Sequence, residues 1–237
     1  MTQWLGAFAI SPSMWAFRGR AADNSVHAHA SIQLSVAQTG VLSIMDAAGR
    51  IHTAEGLITR PGQRHNLLPT QAVTLVHVEP HHPLVNALLA DAADAGISPL
   101  ATFVTETLRH AVQLADCLAA LAQLAPPRNH VLDPRIAHAL DWLSRATATD
   151  AIAQAAAMCG LSDSRLRTLA RDSLGTSLSQ WVTWRKLEAS GRAMMVGASL
   201  AEAAYAGGFA DQSHFTRTMR KVFGITPKSA SLIVRRA

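Results

Sequence analysis

Long apolar runs are missing from this 237-residue chain. No stretch of about 18 apolar residues occurs, so no membrane-spanning helix is expected. The start, MTQWLGAFAI, lacks the cationic segment of a secretion signal. Cysteine is scarce too: Cys117 and Cys159 have no metal-ligand spacing between them, and both fall in helical patterns that suit small buried thiols. Together these absences point to a reducing cytoplasm. Aromatic residues make up only 5% and charged residues 16%, against 49% hydrophobic residues with abundant alanine. That composition excludes a disordered chain and leans towards helix. The length suffices for two modest domains, each with its own core.

The net charge of +5 is unevenly spread. Residues 1–130 hold 7 Lys/Arg against 8 Asp/Glu, whereas residues 131–237 hold 14 against 8. A positive excess confined to one half is the footprint of polyanion binding, although a merely soluble basic surface would look the same by charge alone.

The first 80 residues read as short strands, among them Ile32–Val36, Val41–Met45, Leu57–Thr59 and Val73–Val78, parted by Gly, Pro, Asn and Asp turn signals. Pro80 and Pro83 end that regime. A helical period starts at Leu84, Gly96, Ser98 and Pro99 break it, and one long helix is expected over about 101–124. Its stripe is Val104, Leu108, Ala111, Ala115, Leu118 and Ala122. The stripe fits either a core face or a dimer seam. Ala125-Pro126-Pro127-Arg128-Asn129 stops helices and is read as a linker. The organisation is therefore a sensing unit over 1–83, a helical dimerisation or coupling segment over 84–124, a linker over 125–130 and a helical domain over 131–237. Asp133-Pro134 is a strong helix start. Further helices are expected near 150–158, 162–173, 177–196, 199–206 and 211–223.

Leu161–Ser177 and Phe209–Thr226 repeat one another at an offset of 49 residues: Leu166 matches Phe215, Leu174 matches Phe223 and Gly175 matches Gly224. Each unit follows a short apolar helix and a glycine turn, which makes two helix-turn-helix units. Leu166, Leu169 and Leu174, then Phe215, Met219 and Phe223, would dock the second helix of each pair. The outward residues are Ser164, Arg165, Arg167, Thr168 and Arg171, then Gln212, Ser213, His214, Thr216, Arg217 and Lys221. These types suit base edges and phosphates. The continuous helix between the units is long enough to space two readers about one DNA turn apart. Trp181, Trp184 and Leu187 would anchor it, leaving Arg185, Lys186 and Arg192 to solvent or phosphate.

Residues 131–237 resemble the DNA-binding domain of the AraC/XylS family of bacterial transcription regulators. The resemblance rests on G-L-S-x-x-x-L (Gly160–Leu166), Gly175, Arg185 and GGFADQSHFTRTMRKVFGITP (Gly207–Pro227). The family usually has Arg at the position of Thr168, an aromatic at Ala170 and an aromatic-Arg pair where this chain ends in SASLIVRRA. The first reader is therefore expected to be the less typical of the two.

His27-x-His29, Gln33 and Gly40 resemble a first cupin motif, and Gly56-x4-Pro61-Gly62-x2-His65 resembles a second one without its closing Asn. The resemblance implies a cupin-like β-barrel as sensor. The expected fold class is then α+β with two domains: that barrel with following helices, and an all-α domain whose two helix-turn-helix units share a long helix. His27, His29 and His65, with Gln33 as a weaker fourth donor, suit a divalent transition metal. They suit equally an effector pocket without metal, or a set of structural histidines. His77, His81 and His82 sit near Pro80 and Pro83 and read as loop residues, while Trp15, Arg18 and Arg64 are candidates for a pocket mouth. The function expected is a one-component transcription regulator, not an enzyme, governed by a small-molecule or metal effector. Its expected partners are promoter DNA, a second copy of itself and, for an activator, RNA polymerase; no membrane is involved. The alternative is a metal-dependent cupin enzyme with a helical assembly tail.

Overall fold

Alternating apolar residues between turn signals form eight strands in the first 78 residues: β1 (Leu5–Ser11), β2 (Met14–Ala21), β3 (Ile32–Ala37), β4 (Leu42–Asp46), β5 (Ile51–Ala54), β6 (Gly56–Thr59), β7 (His65–Leu67) and β8 (Thr70–Val78). They come from a computed structural model that describes residues 3–11, 13–90, 95–125, 132–146 and 150–234. After α1 (Leu84–Ala90), a ninth strand, β9 (Ile97–Pro99), pairs with β6 where the sequence suggested only a break. The order in the large sheet is β1-β2-β8-β3-β6-β9, and β5-β4-β7 make a small one. Among the described residues no ladder joins the two sheets into a closed barrel. An isolated bridge joins β7 to the loop between β2 and β3, where His27 and His65 exchange backbone hydrogen bonds of 2.9 Å each way.

Period-two alternation assigns the faces of the large sheet. Ile32, Leu34, Val36, Val76 and Val78 pack with Leu84, Val104, Leu108, Leu118 and Leu121 from the covering helices. The opposite face carries Val73, Leu75 and Phe17 against Leu42, Ile44 and Leu67 of the small sheet. On that face Trp15, His77 and Gln33 lie directly opposite one another across β2, β8 and β3.

The single helix expected over 101–124 is two: α2 (Thr102–His110) and α3 (Leu114–Gln123). Between them Ala111 is extended, and Gln113 starts α3 with a capping box closed by Asp116. The break is held by Arg18 on β2, whose guanidinium donates to the carbonyls of Leu108 at 2.9 Å, Ala111 at 2.6 Å and Val112 at 3.1 Å. Those carbonyls would otherwise serve helical N–H groups. Arg18 is therefore a brace and not part of a pocket mouth. The expected stripe is mostly internal: Val104, Leu108 and Leu118 are buried against the sheet, while Ala115 and Ala122 are exposed.

The linker over 126–130 lies outside the described residues. Beyond it come α4 (Pro134–Arg145), α5 (Ala151–Met158), α6 (Asp163–Leu174), α7 (Leu178–Met195), α8 (Leu200–Ala206), α9 (Gln212–Phe223) and α10 (Pro227–Val234). All except α10 fall where periodicity and caps put them. Asp133 caps α4 through Arg135 N–H, and Ser177 and Ser199 close capping boxes on α7 and α8. No described helix is long and apolar enough to cross a membrane.

Candidate nucleic-acid interface and effector pocket

The first reader helix is α6. Ser162 caps it, Gly175 ends it in left-handed geometry, and Leu166, Ala170 and Leu174 dock it. Ala170, where the resemblance called for an aromatic, is fully buried, so this departure concerns packing rather than DNA reading. Ser164, Arg165, Arg167, Thr168 and Arg171 are all exposed. Arg167 is tied back to Asp163 at 3.1 Å and to Ser179 Oγ at 3.1 Å, and Thr168 Oγ donates to Ser164 O at 3.0 Å. Arg165 and Arg171 form no ion pair among the described residues, unlike Arg167.

The second reader, α9, is capped by Asp211, whose carboxylate accepts from His214 N–H at 2.6 Å, and ends at the left-handed Gly224. Gln212, Ser213, His214, Arg217 and Lys221 are exposed and Thr216 is half-buried. His214 rests edge-on against Phe209 with centroids 5.3 Å apart. Arg217, Arg220 and Lys221 line a groove whose opposite wall is the sensor segment 25–30 with Arg64. Part of this reading surface therefore faces the N-terminal domain.

The readers differ in what supports them. Among the described residues, the core under α6 is drawn from positions 132 to 182 of the C-terminal half. The core under α9 mixes Trp184, Leu187, Ala203, Ala204, Phe209 and Phe215 with Trp15 and Ala30 of the sheet-rich domain. Trp15 and Trp184 meet at 4.6 Å between ring centroids, and Phe223 lies 5.1 Å from Trp15 and 5.6 Å from His77. Arg185 and Arg192, expected at phosphate or solvent, instead clasp the sensor. Arg185 bonds Glu79 at 2.7 Å and Glu188 at 2.6 Å, and Arg192 bonds Glu188 at 2.7 Å and Ser11 O at 3.1 Å.

Between the domains lies an apolar cavity of about 100 Å³. Phe8, Trp15 and Phe17 line one side, Leu187, Met194, Phe215, Met219 and Phe223 the other, with His27, Gln33 and His77 among the few polar groups. The indole N–H of Trp15 is buried and meets no acceptor among the described residues.

His27, His29, Gln33 and His65, singled out from sequence, do come together. His27 and His65 have ring centroids 4.5 Å apart, and His29 lies 5.2 Å from His65 and 5.9 Å from His27. His29 Nε2 is 3.0 Å from the Gln33 amide. Desolvation by burial lowers the pKa of His27, and carries those of His29 and His65 well below the usual imidazole value, with neighbouring imidazoles adding to the last two. The rings are neutral at pH 7. His29 Nδ1 faces the Ser31 carbonyl at 2.9 Å and its Nε2 faces Gln33 Oε1 at 3.0 Å, while the Gln33 NH₂ donates to Ser35 Oγ at 2.9 Å. His77, read from sequence as a loop residue, is on β8, 4.7 Å from His29 by ring centroid, and joined to it through Ser31 Oγ. Burial pushes its pKa down to about 3. The alternation V-T-L-V-H-V, which puts His77 in phase with Val73 and Leu75, was the signal for this position.

Two helix-turn-helix units on one axial helix, beside a sheet-rich domain, define a DNA-binding regulator with paired readers. Residues 155–231 match the model of a helix-turn-helix domain family. The fold is similar along nearly its whole length to ToxT from Vibrio cholerae: one crystal structure has a TM-score of 0.60 at 12% identity, covering 92% of this chain and 98% of that one. A second, bound to an unsaturated fatty acid, has a TM-score of 0.62 at 12% identity, covering 96% and 98%. None of the curated proteins matches the chain by sequence. Residues 155–231 thus form a helix-turn-helix domain within a chain whose fold is like that of ToxT.

Proposed function

We propose that the chain is a one-component, cytoplasmic regulator that reads promoter DNA with α6 and α9 and is set by an effector held between its domains. The observation that carries this reading is the shared core: Trp15 of the sensor and Phe215 of the second reader belong to one apolar cluster. A ligand entering there touches both domains at once. The 100 Å³ cavity is smaller than the roughly 300 Å³ or more that holds an organic ligand, so binding must part Trp15 from Phe223 and shift α9. The lining favours an apolar molecule with one oxygen acceptor for the Trp15 indole N–H. ToxT, bound to an unsaturated fatty acid in one of its structures, supports that class. A cupin-like ancestry of the sheet pair and its histidines fits the two sequence motifs. Binding rather than turnover is the role of this domain.

In the DNA complex, Arg217 reads a base, while Arg171 and Lys221 anchor phosphates. A homodimer would use the outer side of α2 and α3, where Phe103 and Val112 are exposed. An activating role would bring RNA polymerase as a further partner.

Footprinting on fragments upstream of the chain's own gene, with and without medium-chain acids, tests the reading. Protection of two half-sites about one turn apart, altered by ligand, is expected. Equal binding to all sequences at every salt concentration would overturn it. On the footprinted site, Arg217→Ala should cost on the order of 1–3 kcal/mol and relax preference at one base. Lys221→Ala should weaken binding uniformly and flatten the salt dependence by about one unit of slope.

A further inference from the structure

We propose that Arg64 of the sensor grips the same DNA strand that the second reader lies against, so that the N-terminal domain is itself part of the DNA-binding surface. The inference rests on the DNA-binding function proposed above and adds to it a contact from the other domain.

The groove between segment 25–30 and α9 has a volume of about 860 Å³. Four cations line it: Arg64 on the sensor wall, and Arg217, Arg220 and Lys221 on the reader wall. None of its lining residues is acidic. All four cations are exposed, and among the described residues none forms an ion pair or donates a side-chain hydrogen bond. The histidines there, His27 and His29, add no charge at pH 7, since burial lowers the pKa of each. Elsewhere the chain pairs its arginines readily: Arg109, Arg135, Arg145, Arg167, Arg185 and Arg192 each meet a carboxylate. Four like charges left facing one space repel one another and call for an anion.

A phosphodiester strand answers that call better than a small anion. The cations come from two walls, and Arg217 and Lys221 are spread about 6 Å apart along the axis of α9. Each strand of B-DNA offers a phosphate about every 3.4 Å of helix axis, so it supplies counter-charges along the whole line. With Arg217 committed to a base, Arg220, Lys221 and Arg64 remain for that strand. The groove also continues along α7, where Ser179, Gln180 and Thr183 line it. Ser179 Oγ accepts from Arg167 of the first reader at 3.1 Å. A backbone leaving the second reader is thereby led towards the first.

The sensor wall is fixed against α9. Arg64 adjoins His65, whose backbone exchanges two hydrogen bonds of 2.9 Å with His27. Ser25 N–H donates to Gly224 O, at the end of α9, at 3.1 Å. Gly224 stands at φ +71°, and a Cβ there would come within 2.5 Å of Ser25 O. The two walls thus meet backbone to backbone, which sets Arg64 opposite the reader's cations. An effector that parts the domains withdraws this cation from the strand.

Fluorescence anisotropy of the full chain on the footprinted fragment, over a range of salt concentrations, tests the contact. Arg64→Gln should lower the slope of log Kd against log salt by about one unit and raise Kd about fivefold to tenfold near 0.1 M salt. The ranking of single-base variants of the site should not change. Arg64→Lys should keep the slope, and so should Arg50→Gln, which removes the same charge from an exposed position beside β5. Methylphosphonates placed one at a time locate the contact: a position beside the second half-site should weaken the wild type and leave Arg64→Gln unaffected. An unchanged slope and Kd in Arg64→Gln overturn the inference, as does an equal loss in Arg50→Gln. Tighter binding by Arg64→Gln also overturns it, by making the sensor wall a mask over the reader. A wild-type chain without sequence-selective, salt-sensitive binding overturns the DNA-binding function and the contact with it.

Discussion

Glu79 is 1% exposed and is held by Arg185 from the other domain at 2.7 Å and by His81 at 3.2 Å. Removing one member of such a pair strands a buried charge, so Arg185→Ala should lose about 3–5 kcal/mol in urea denaturation, and the double substitution Glu79→Gln with Arg185→Met should recover much of that. In the sequence Arg185 is simply one more cation on a basic helix. Its partner stands 106 positions away, and only the docked domains reveal it. His77 is a second residue whose surroundings govern it. Unfolding restores an ordinary imidazole pKa of about 6.5, whereas the folded ring resists protonation down to about 3. Below pH 6.5 the unfolded chain therefore binds the extra proton. Stability is complete above pH 6.5 and falls as pH drops towards 3, by about 1.4 kcal/mol per unit for each such ring. His27, His29 and His65 act in the same direction. Denaturation midpoints of the protein between pH 4 and pH 8 check this; a flat profile would contradict the neutral cluster.

Among elements, the C-terminal helices were legible because their evidence is local. Ser162, Ser177, Ser199 and Asp211 each cap the helix that begins beside them, and left-handed Gly175 and Gly224 each end one. Asp211→Ala should accordingly cost about 1 kcal/mol and loosen the first turn of α9, seen as faster amide exchange at His214. The split between α2 and α3 was illegible for the opposite reason. Nothing between Ala111 and Gln113 forbids a helix; the break depends on Arg18, about 90 positions earlier in the chain. Arg18→Met should destabilise the sensor by about 1.5–3 kcal/mol, the worth of a hydrogen bond to a charged donor, with the effect centred on the α2–α3 junction in hydrogen exchange. Strand β9 escaped notice similarly, because three residues ending in proline carry little pattern until β6 offers them an edge.

At the scale of the whole molecule, the sequence separates a sensor from a reader, whereas the packing draws the line elsewhere. Trp184 is fully buried among groups from both domains, so Trp184→Ala should cost about 3–5 kcal/mol and raise protease sensitivity in α9 and β2 together, leaving α6 protected. The unit containing α6 keeps its own core, and α7, which closes that core, also carries the Arg185 that bonds Glu79 of the sensor. For anyone assembling hybrid regulators, this asymmetry fixes where the scissors go. A foreign sensor joined at the proline-rich linker would inherit α6 intact but arrive without the indole of Trp15 and the methyl of Ala30 that complete the seat of α9. Such a chimera should bind one half-site and neglect the other, unless those two surfaces are transplanted with it.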